Sequence, residues 1–433
     1  MYEVSEDECM GRTFASLKFR SYRLWFIASV FANVGTWMQR VAKDWVVLTE
    51  LTDNSGFAVG VTTALQFLPM LLFGAAAGVL ADRMDKRKLL IFTQSAMGIL
   101  AIVMAVLLLT NTAALWHLYV FAFLTGCVAA ADTPVRLVYI SSLVPPKMLP
   151  NAVGLNSTSF NMARLVGPAV AGVAVAAVGP GWVFLLNALT FAGPVFVMFL
   201  IKETYESAPA KKPERKGMFM QGFRYIKRRS DIIVIMCIAG VVSAFGLNFQ
   251  MTTAVMARVQ FHRGPEAYGL LTSAMAVGTL AGALLAARRR YPRVRIVVLA
   301  ALAFGVASGA AALAPGYWTF ALLLIPTGLA TLTMLTTANA AIQMYTHPSM
   351  RGRVISIYQT VNMGATPIGA PIVGWVAEAW GPRWSIGIGS IAAVIIALVM
   401  GVWAWRKWQV EVQVQRYRPF LTSYGPRERA EDD

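Results

Sequence analysis

The sequence predicts an all-α polytopic membrane protein with twelve transmembrane helices in two pseudo-symmetric six-helix bundles. Three observations carry that prediction. The chain is 57% hydrophobic and only 14% charged, where an ordinary soluble protein has about a quarter of its residues charged. Apolar runs of about 20 residues, each long enough to cross a bilayer, recur twelve times in the 433 residues. The second half of the chain also repeats the first. An ungapped shift of 146–182 by 202 positions lays Pro146 on Pro348, Gly167 on Gly369 and Gly172 on Gly374. It also lays Gly179-Pro180-x-Trp182 on Gly381-Pro382-x-Trp384. A parallel repeat of six spans is a transporter architecture in which two halves rock about a site near the midplane.

The twelve spans, numbered in chain order, are expected at 23–48, 57–80, 89–110, 116–133, 152–178, 182–201, 232–256, 268–287, 296–314, 317–341, 354–378 and 384–405. All are read as helices, because a lone span must satisfy its own backbone hydrogen bonds and the alternation of a barrel is absent. The divisions are an N-terminal segment at 1–22, a first bundle at 23–201, a basic linker at 202–231, a second bundle at 232–406 and a tail at 407–433. Residues 1–22 hold Glu3, Glu6, Asp7 and Glu8 and no apolar core, so they do not read as a cleavable signal peptide. In the tail, Val410-Glu-Val-Gln-Val-Gln alternates like a strand without a visible partner and stays unassigned.

Charge sets the expected orientation. Of the 38 Lys and Arg, 32 lie on the side that holds both termini, the even-to-odd loops and the linker. Arg258, Arg263 and Arg383 lie on the other side, and Arg40, Lys43 and Arg164 fall inside spans. Positive charge is retained in the cytoplasm, which predicts a multi-pass cell-membrane protein with both termini cytoplasmic. The net charge of +17 is parcelled into short loops, not gathered on one soluble face, which argues against nucleic acid. Cys9, Cys127 and Cys237 stand far apart with no metal spacing. No Walker-A loop, His-Glu-x-x-His, Gly-x-Ser-x-Gly or Cys-x-x-Cys occurs, so neither an enzyme nor self-contained nucleotide-driven transport is expected.

Charges within spans cost about 2.5–3.5 kcal/mol each on insertion scales, so each requires a reason. On span 1, Asn33, Arg40 and Asp44 fall within about 40° of one another at helical geometry, with Lys43 to one side. Two readings stand: an Arg40–Asp44 bridge at i, i+4, or Asp44 as a proton carrier balanced between Arg40, Lys43 and desolvation. On span 5, Arg164 either holds an anionic substrate group, or trades partners with Asp132 or Asp44 during the cycle, or forms a fixed bridge to Asp132 near the cytoplasmic end of span 4. Polar span residues of the second half are mostly neutral, and Asn248, Gln250, Asn339, Gln343, Gln359 and Asn362 are the substrate-cavity candidates. A charged first half facing a neutral second half suggests coupling in one and substrate fitting in the other. Gly364, Pro367, Gly369, Pro371 and Gly374 predict a bent, closely packed span 11.

Between spans 2 and 3, Gly78-Val-Leu-Ala-Asp82-Arg83-Met-Asp85-Lys86-Arg87-Lys88 resembles the Gly-x-x-x-Asp-Arg-x-Gly-Arg-Arg/Lys signature of the major facilitator superfamily. The span-5 run Asn161-Met-Ala-Arg164-Leu-Val-Gly167-Pro168-Ala-Val-Ala-Gly172 resembles the antiporter-associated motif of that superfamily. With Gly35-Thr-Trp-Met-Gln39-Arg40-Val-Ala-Lys43-Asp44-Trp45 and Leu149-Pro-Asn151-Ala-Val-Gly-Leu-Asn156, the chain is similar to its enterobactin-exporter-like branch. This branch, the transmembrane secretion effectors, also has macrolide efflux proteins among its relatives.

The resemblance implies the major facilitator fold and a proton-coupled exporter of small organic molecules that works by alternating access. It also implies that the loop at Gly78 latches the cytoplasmic side, with Asp82 against the start of span 11 and Arg83, Lys86, Arg87 and Lys88 holding acids or lipid phosphates. Asp85 stands where the signature has a turn glycine, and Asp tolerates left-handed backbone better than most residues. An importer or facilitator is the alternative on the same fold. The expected partners are a small-molecule substrate and the lipid bilayer, with no nucleic acid, nucleotide, metal or cofactor. The energy source is a proton gradient, and a single chain is the working unit.

Overall fold

The computed structural model describes residues 14–201, 205, 218–287, 292–408, 414–415 and 418–419, with side chains described except at 75–83, 218–219, 287, 408 and the four tail residues. The first bundle contains Arg20–Thr49, Gly56–Arg83, Lys86–Leu109, Leu115–Leu143, Leu149–Val178 and Pro180–Leu200 as spans 1 to 6. In the second, spans 8 to 10 and 12 are Pro265–Ala287, Val294–Ala312, Tyr317–Tyr345 and Pro382–Trp408. Spans 7 and 11 are broken. Span 7 runs Ser230–Phe245 and resumes as Phe249–Val255 with a π turn at Met256–Gln260, in place of the continuous helix expected. Span 11 is Arg351–Gly364 followed by Thr366–Trp380, interrupted at Ala365, two residues before Pro367, whose missing N–H removes a helix bond.

Among the described residues, ten helices are long and apolar enough to cross a bilayer on length and composition. The other two are span 1, lowered in hydropathy by its polar side chains, and span 11, divided into pieces of 14 and 15 residues. The linker contains the amphipathic helix Met218–Arg228, which packs on the first part of span 11. Its Gln221 Oε1 accepts from Arg353 at 2.7 Å, and Tyr225 Oη accepts from the His347 backbone N–H at 3.2 Å. The tail strand does have a partner: Val414–Gln415 pairs antiparallel with Arg418–Pro419.

The sequence repeat has a backbone counterpart. Gly179 (φ +85°) and Gly381 (φ +99°) end spans 5 and 11 in the same left-handed conformation, which costs glycine nothing. Pro180 and Pro382 then begin the next helices, where a missing N–H leaves no bond unmade. The two halves meet through equivalent glycine contacts. A Cβ on Gly172 would stand 2.5 Å from the Pro265 carbonyl oxygen, and one on Gly374 would stand 2.4 Å from that of Gly56. Spans 5 and 8, and spans 11 and 2, are therefore in backbone contact at the ends distant from the termini.

That face is closed further by Glu378, whose carboxylate accepts from Ser55 Oγ at 2.7 Å and from the Phe57 N–H at 3.3 Å. Arg258 donates to Asn54 across the same seam at 3.2 Å. Toward the basic face, spans 4 and 10 make no substantial contact with the opposite half among the described residues. One apolar cluster runs through both halves, and a second, around Tyr22, Trp25, Leu90 and Tyr139, fills the basic end of the first bundle.

At the loop between spans 2 and 3, Asp85 has φ −60° and acts as a helix N-cap, its side chain accepting from the Lys88 N–H at 2.9 Å. It does not adopt the left-handed geometry expected at the signature glycine. Gly78, Asp82 and Arg83 lie within the span-2 helix, but the side-chain contacts of the proposed latch fall outside the described residues. Lys86 and Arg87 are partly exposed and Lys88 is exposed in the first turn of span 3.

Candidate transport site

Span 1 carries two charged constellations one helical turn apart. In the first, Lys43 and Asp44 are 4% and 2% exposed and paired with each other, Nζ to Oδ1 at 3.3 Å. Lys43 also donates to Gln66 Oε1 of span 2 at 2.6 Å. Tyr268 of span 8 donates to Asp44 Oδ2 at 3.3 Å and stacks on Trp45, centroids 6.3 Å apart at 18°. The acid on span 1 is thus bound by the opposite half of the molecule. The expected Arg40–Asp44 bridge is not formed, because Lys43 satisfies the carboxylate from the adjacent position.

Arg40 instead lies over Trp37, its guanidinium carbon 4.7 Å from the ring centroid. Arg164 of span 5 lies over the same ring at 5.6 Å. Its expected bridge to Asp132 is absent too. Asp132, 4% exposed, accepts Arg136 at 2.9 and 3.1 Å and takes Thr93 and Gln94 of span 3 at 2.7 Å each. Arg136 is one turn along the same helix, a nearer donor than span 5 provides. Neither Arg40 nor Arg164 has a hydrogen bond or ion pair among the described residues, and Arg40 Nε and Trp37 Nε1 are buried without partners. A cation–π contact returns about 0.5–2 kcal/mol, less than the about 2.5–3.5 kcal/mol that a mid-membrane guanidinium costs.

The remaining candidates separate into packing and cavity groups. Asn33 donates to Ser159 at 3.2 Å and ties span 1 to span 5. Asn161 donates to the Ser157 carbonyl of its own helix at 2.8 Å. Gly167 lies against Trp37, where an added Cβ would stand 2.6 Å from Trp37 Cβ. Its repeat partner Gly369 lies against Ala244 of span 7, at 1.7 Å from the carbonyl oxygen by the same measure. Pro168 offers its carbonyl to the close approach of Gly269, and the Leu165 carbonyl accepts Ser273 Oγ at 2.6 Å.

At the break in span 7, Asn248 donates to the Ala244 carbonyl at 2.6 Å, while Asn248 Oδ1 and Gln250 Nε2 are buried without partners. The half-helix after the break packs on span 1. Asn362 accepts from Ser243, joining span 11 to span 7. Gln343 donates to Asn339 at 2.9 Å on an exposed face of span 10, and Gln359 is partly exposed on span 11. The sequence reading missed Tyr268, Gln66 and Arg136. Only the last had a readable signal, a base four residues after a span acid.

The profile described as "Transmembrane secretion effector" matches residues 11–422. The chain belongs to the transmembrane secretion effector family. It is therefore a multi-pass membrane transporter of the major facilitator superfamily and not an enzyme. The staphyloferrin A transporter of Staphylococcus aureus is 24% identical over 386 residues, covering 87% of this chain and 94% of the relative. The enterobactin exporter EntS of Salmonella typhimurium is 23% identical over 396 residues, with 88% and 91% covered. A bacterial homologue of the human lysosomal transporter Spinster, solved inward-facing and unoccupied, superposes with TM-score 0.63 at 16% identity, over 88% of this chain and 95% of that one. That likeness is one of fold.

Proposed function

We propose that the protein exports small organic molecules by alternating access, driven by the proton gradient, as a monomer in the cell membrane with both termini in the cytoplasm. The carrying observation is the bond from Tyr268 to Asp44, a buried acid of one half held by a hydroxyl of the other at 3.3 Å. Protonating Asp44 removes the charge that holds Lys43 and weakens the acceptor for Tyr268, so proton binding loosens the closed face. Proton occupancy and access are then coupled through one carboxylate. The charge bias supports the orientation, because the closed face is the one poor in Lys and Arg. Two complete halves in one chain supply a whole pathway, which supports the monomer. Relatives named for siderophore transport and export support the direction.

The test is uptake of dyes or drugs into inverted membrane vesicles under an imposed proton gradient. Accumulation that collapses with an uncoupler is expected. Uptake that ignores the gradient overturns the coupling, and loss of substrate in the opposite direction overturns export.

A further inference from the structure

The charges inside the bundle do not cancel. Among the described residues, the buried acids Asp44 and Asp132 each have a dedicated base, Lys43 and Arg136. Arg40 and Arg164 remain, two guanidiniums on one indole, neither in an ion pair among the described residues. Asp44 attracts Arg40 from beyond ion-pair distance and is itself held by Lys43. Beside this region the second half places the Ser273 hydroxyl, on the Leu165 carbonyl, and its acid on span 11, Glu378, is committed to Ser55 and Phe57 at the closed face. Both side chains are only partly buried and so border open space inside the bundle, where two like charges favour an anionic occupant.

We propose that Arg40, Trp37 and Arg164 form a binding site for an organic anion that carries two or more carboxylate-like groups, and that this is the substrate class of the transporter. The assignment rests on the export reading above. A guanidinium presents a fixed fork of donors that matches a carboxylate bidentately, and two of them select for a second acidic group. Arg40 Nε, a buried donor without an acceptor, is the atom that such an oxygen would satisfy. Trp37 Nε1, also buried and unpartnered, supplies a further donor. The ring gives a flat wall, and Phe160, 44% exposed, meets it edge-on at 5.7 Å. An aromatic or otherwise planar acid therefore fits better than a purely aliphatic one.

The site is held in place by helix packing. Gly167 lets span 5 close on the Cβ of Trp37, and Asn33 bonds Ser159 across the same pair of helices. The arrangement also disfavours a basic amphiphile, which would meet two like charges.

The experiment uses the full-length protein in nanodiscs of zwitterionic lipid, with thermal unfolding as the readout. The probes are isophthalate and citrate, with isophthalamide as the neutral match and m-xylylenediamine as the cationic one. Isophthalate or citrate is expected to raise the midpoint in a salt-sensitive way, with no shift from the amide or the amine. Arg40→Gln and Arg164→Gln should each weaken the anion at least tenfold, while Arg164→Lys should keep part of the effect. Both Gln variants should unfold, without ligand, at the wild-type midpoint or higher, because one of two like charges on a single ring is removed. Equal shifts by anion and amide, no shift by either acid, or undiminished anion shifts in the double Gln variant overturn the site. Dye uptake into inverted vesicles separates the two claims. Gradient-driven dye uptake without anion stabilisation removes the anion site and leaves export standing. Anion stabilisation without gradient-driven uptake of dye or isophthalate leaves the site and removes export.

Discussion

Arg136 holds Asp132 through two guanidinium hydrogen bonds of 2.9 and 3.1 Å, and the carboxylate's other oxygen accepts Thr93 and Gln94. Both carboxylate oxygens are thus occupied, at a position 4% exposed near the basic end of span 4. The arrangement bonds span 4 to span 3 and leaves Asp132 no capacity to trade partners with span 5.

Removing Arg136 should therefore cost stability first. Arg136→Gln strands a buried carboxylate, for which a loss of about 3 kcal/mol is expected from broken buried pairs. Asp132→Asn should cost less, because Arg136 is 18% exposed and can reach solvent. The double variant Asp132→Asn/Arg136→Gln should recover most of the loss. Thermal midpoints in one detergent decide it; a double variant no better than Arg136→Gln would show that the pair does not act as a unit.

The same pair shows what could be read from the sequence and what could not. The number of spans, the half-and-half organisation and the glycine repeat were legible because each rests on local pattern: apolar runs, basic-loop bias, and Gly-Pro turns at 179 and 381. Span lengths were less so, since span 4, expected to end at 133, continues to Leu143 and carries Arg136 within the helix. The partners of the intramembrane charges were not, because they depend on which helices touch. Helical angle alone put Arg40 beside Asp44, yet the carboxylate is closer to Lys43 and is completed by Tyr268, 224 residues away. Likewise the break before Phe249 has no local signal in the sequence, and it lies beside the Ala244 carbonyl, which Gly369 of span 11 approaches and Asn248 bonds.

Gly369 is the tightest of the span-11 contacts. Gly369→Ala places a methyl 1.7 Å from backbone that cannot swing aside, so a loss of about 1–3 kcal/mol or more is expected from overpacking. Gly167→Ala, 2.6 Å from Trp37 Cβ, should also destabilise and in addition disturb the Arg40–Trp37–Arg164 stack. Gly154→Ala is the control, since nothing lies within 4 Å of its added methyl and alanine is the better helix former. Thermal unfolding of the three should rank Gly154→Ala at or above wild type; a Gly369→Ala variant that matches it would refute the close contact.

Tyr268→Phe removes a bond between halves without changing ring shape or the stack on Trp45. A hydrogen bond to a charged group contributes about 1.5–3 kcal/mol. At 3.3 Å this one belongs at the low end, so a shift of roughly tenfold toward opening is expected. Val59 is fully buried near the closed end of span 2, and a cysteine there, in a chain with Cys9, Cys127 and Cys237 replaced by Ser, reports opening. Its rate of modification by a membrane-impermeant maleimide should rise in Tyr268→Phe. An unchanged rate means that the Glu378 contacts close this face without Tyr268.

Asp44→Asn tests the coupling itself. The amide can still accept from Tyr268 but cannot gain a proton at working pH, so gradient-driven accumulation should be lost while ligand-dependent thermal stabilisation persists. The substitution also leaves Lys43, 4% exposed, with Gln66 but no counter-charge, and some loss of stability is expected from that alone. Lys43→Gln/Asp44→Asn removes both charges and should restore the midpoint without restoring accumulation. That separation distinguishes a proton carrier from a structural pair: recovery of gradient-driven transport in the neutral double variant would assign Asp44 to packing and move the proton site elsewhere.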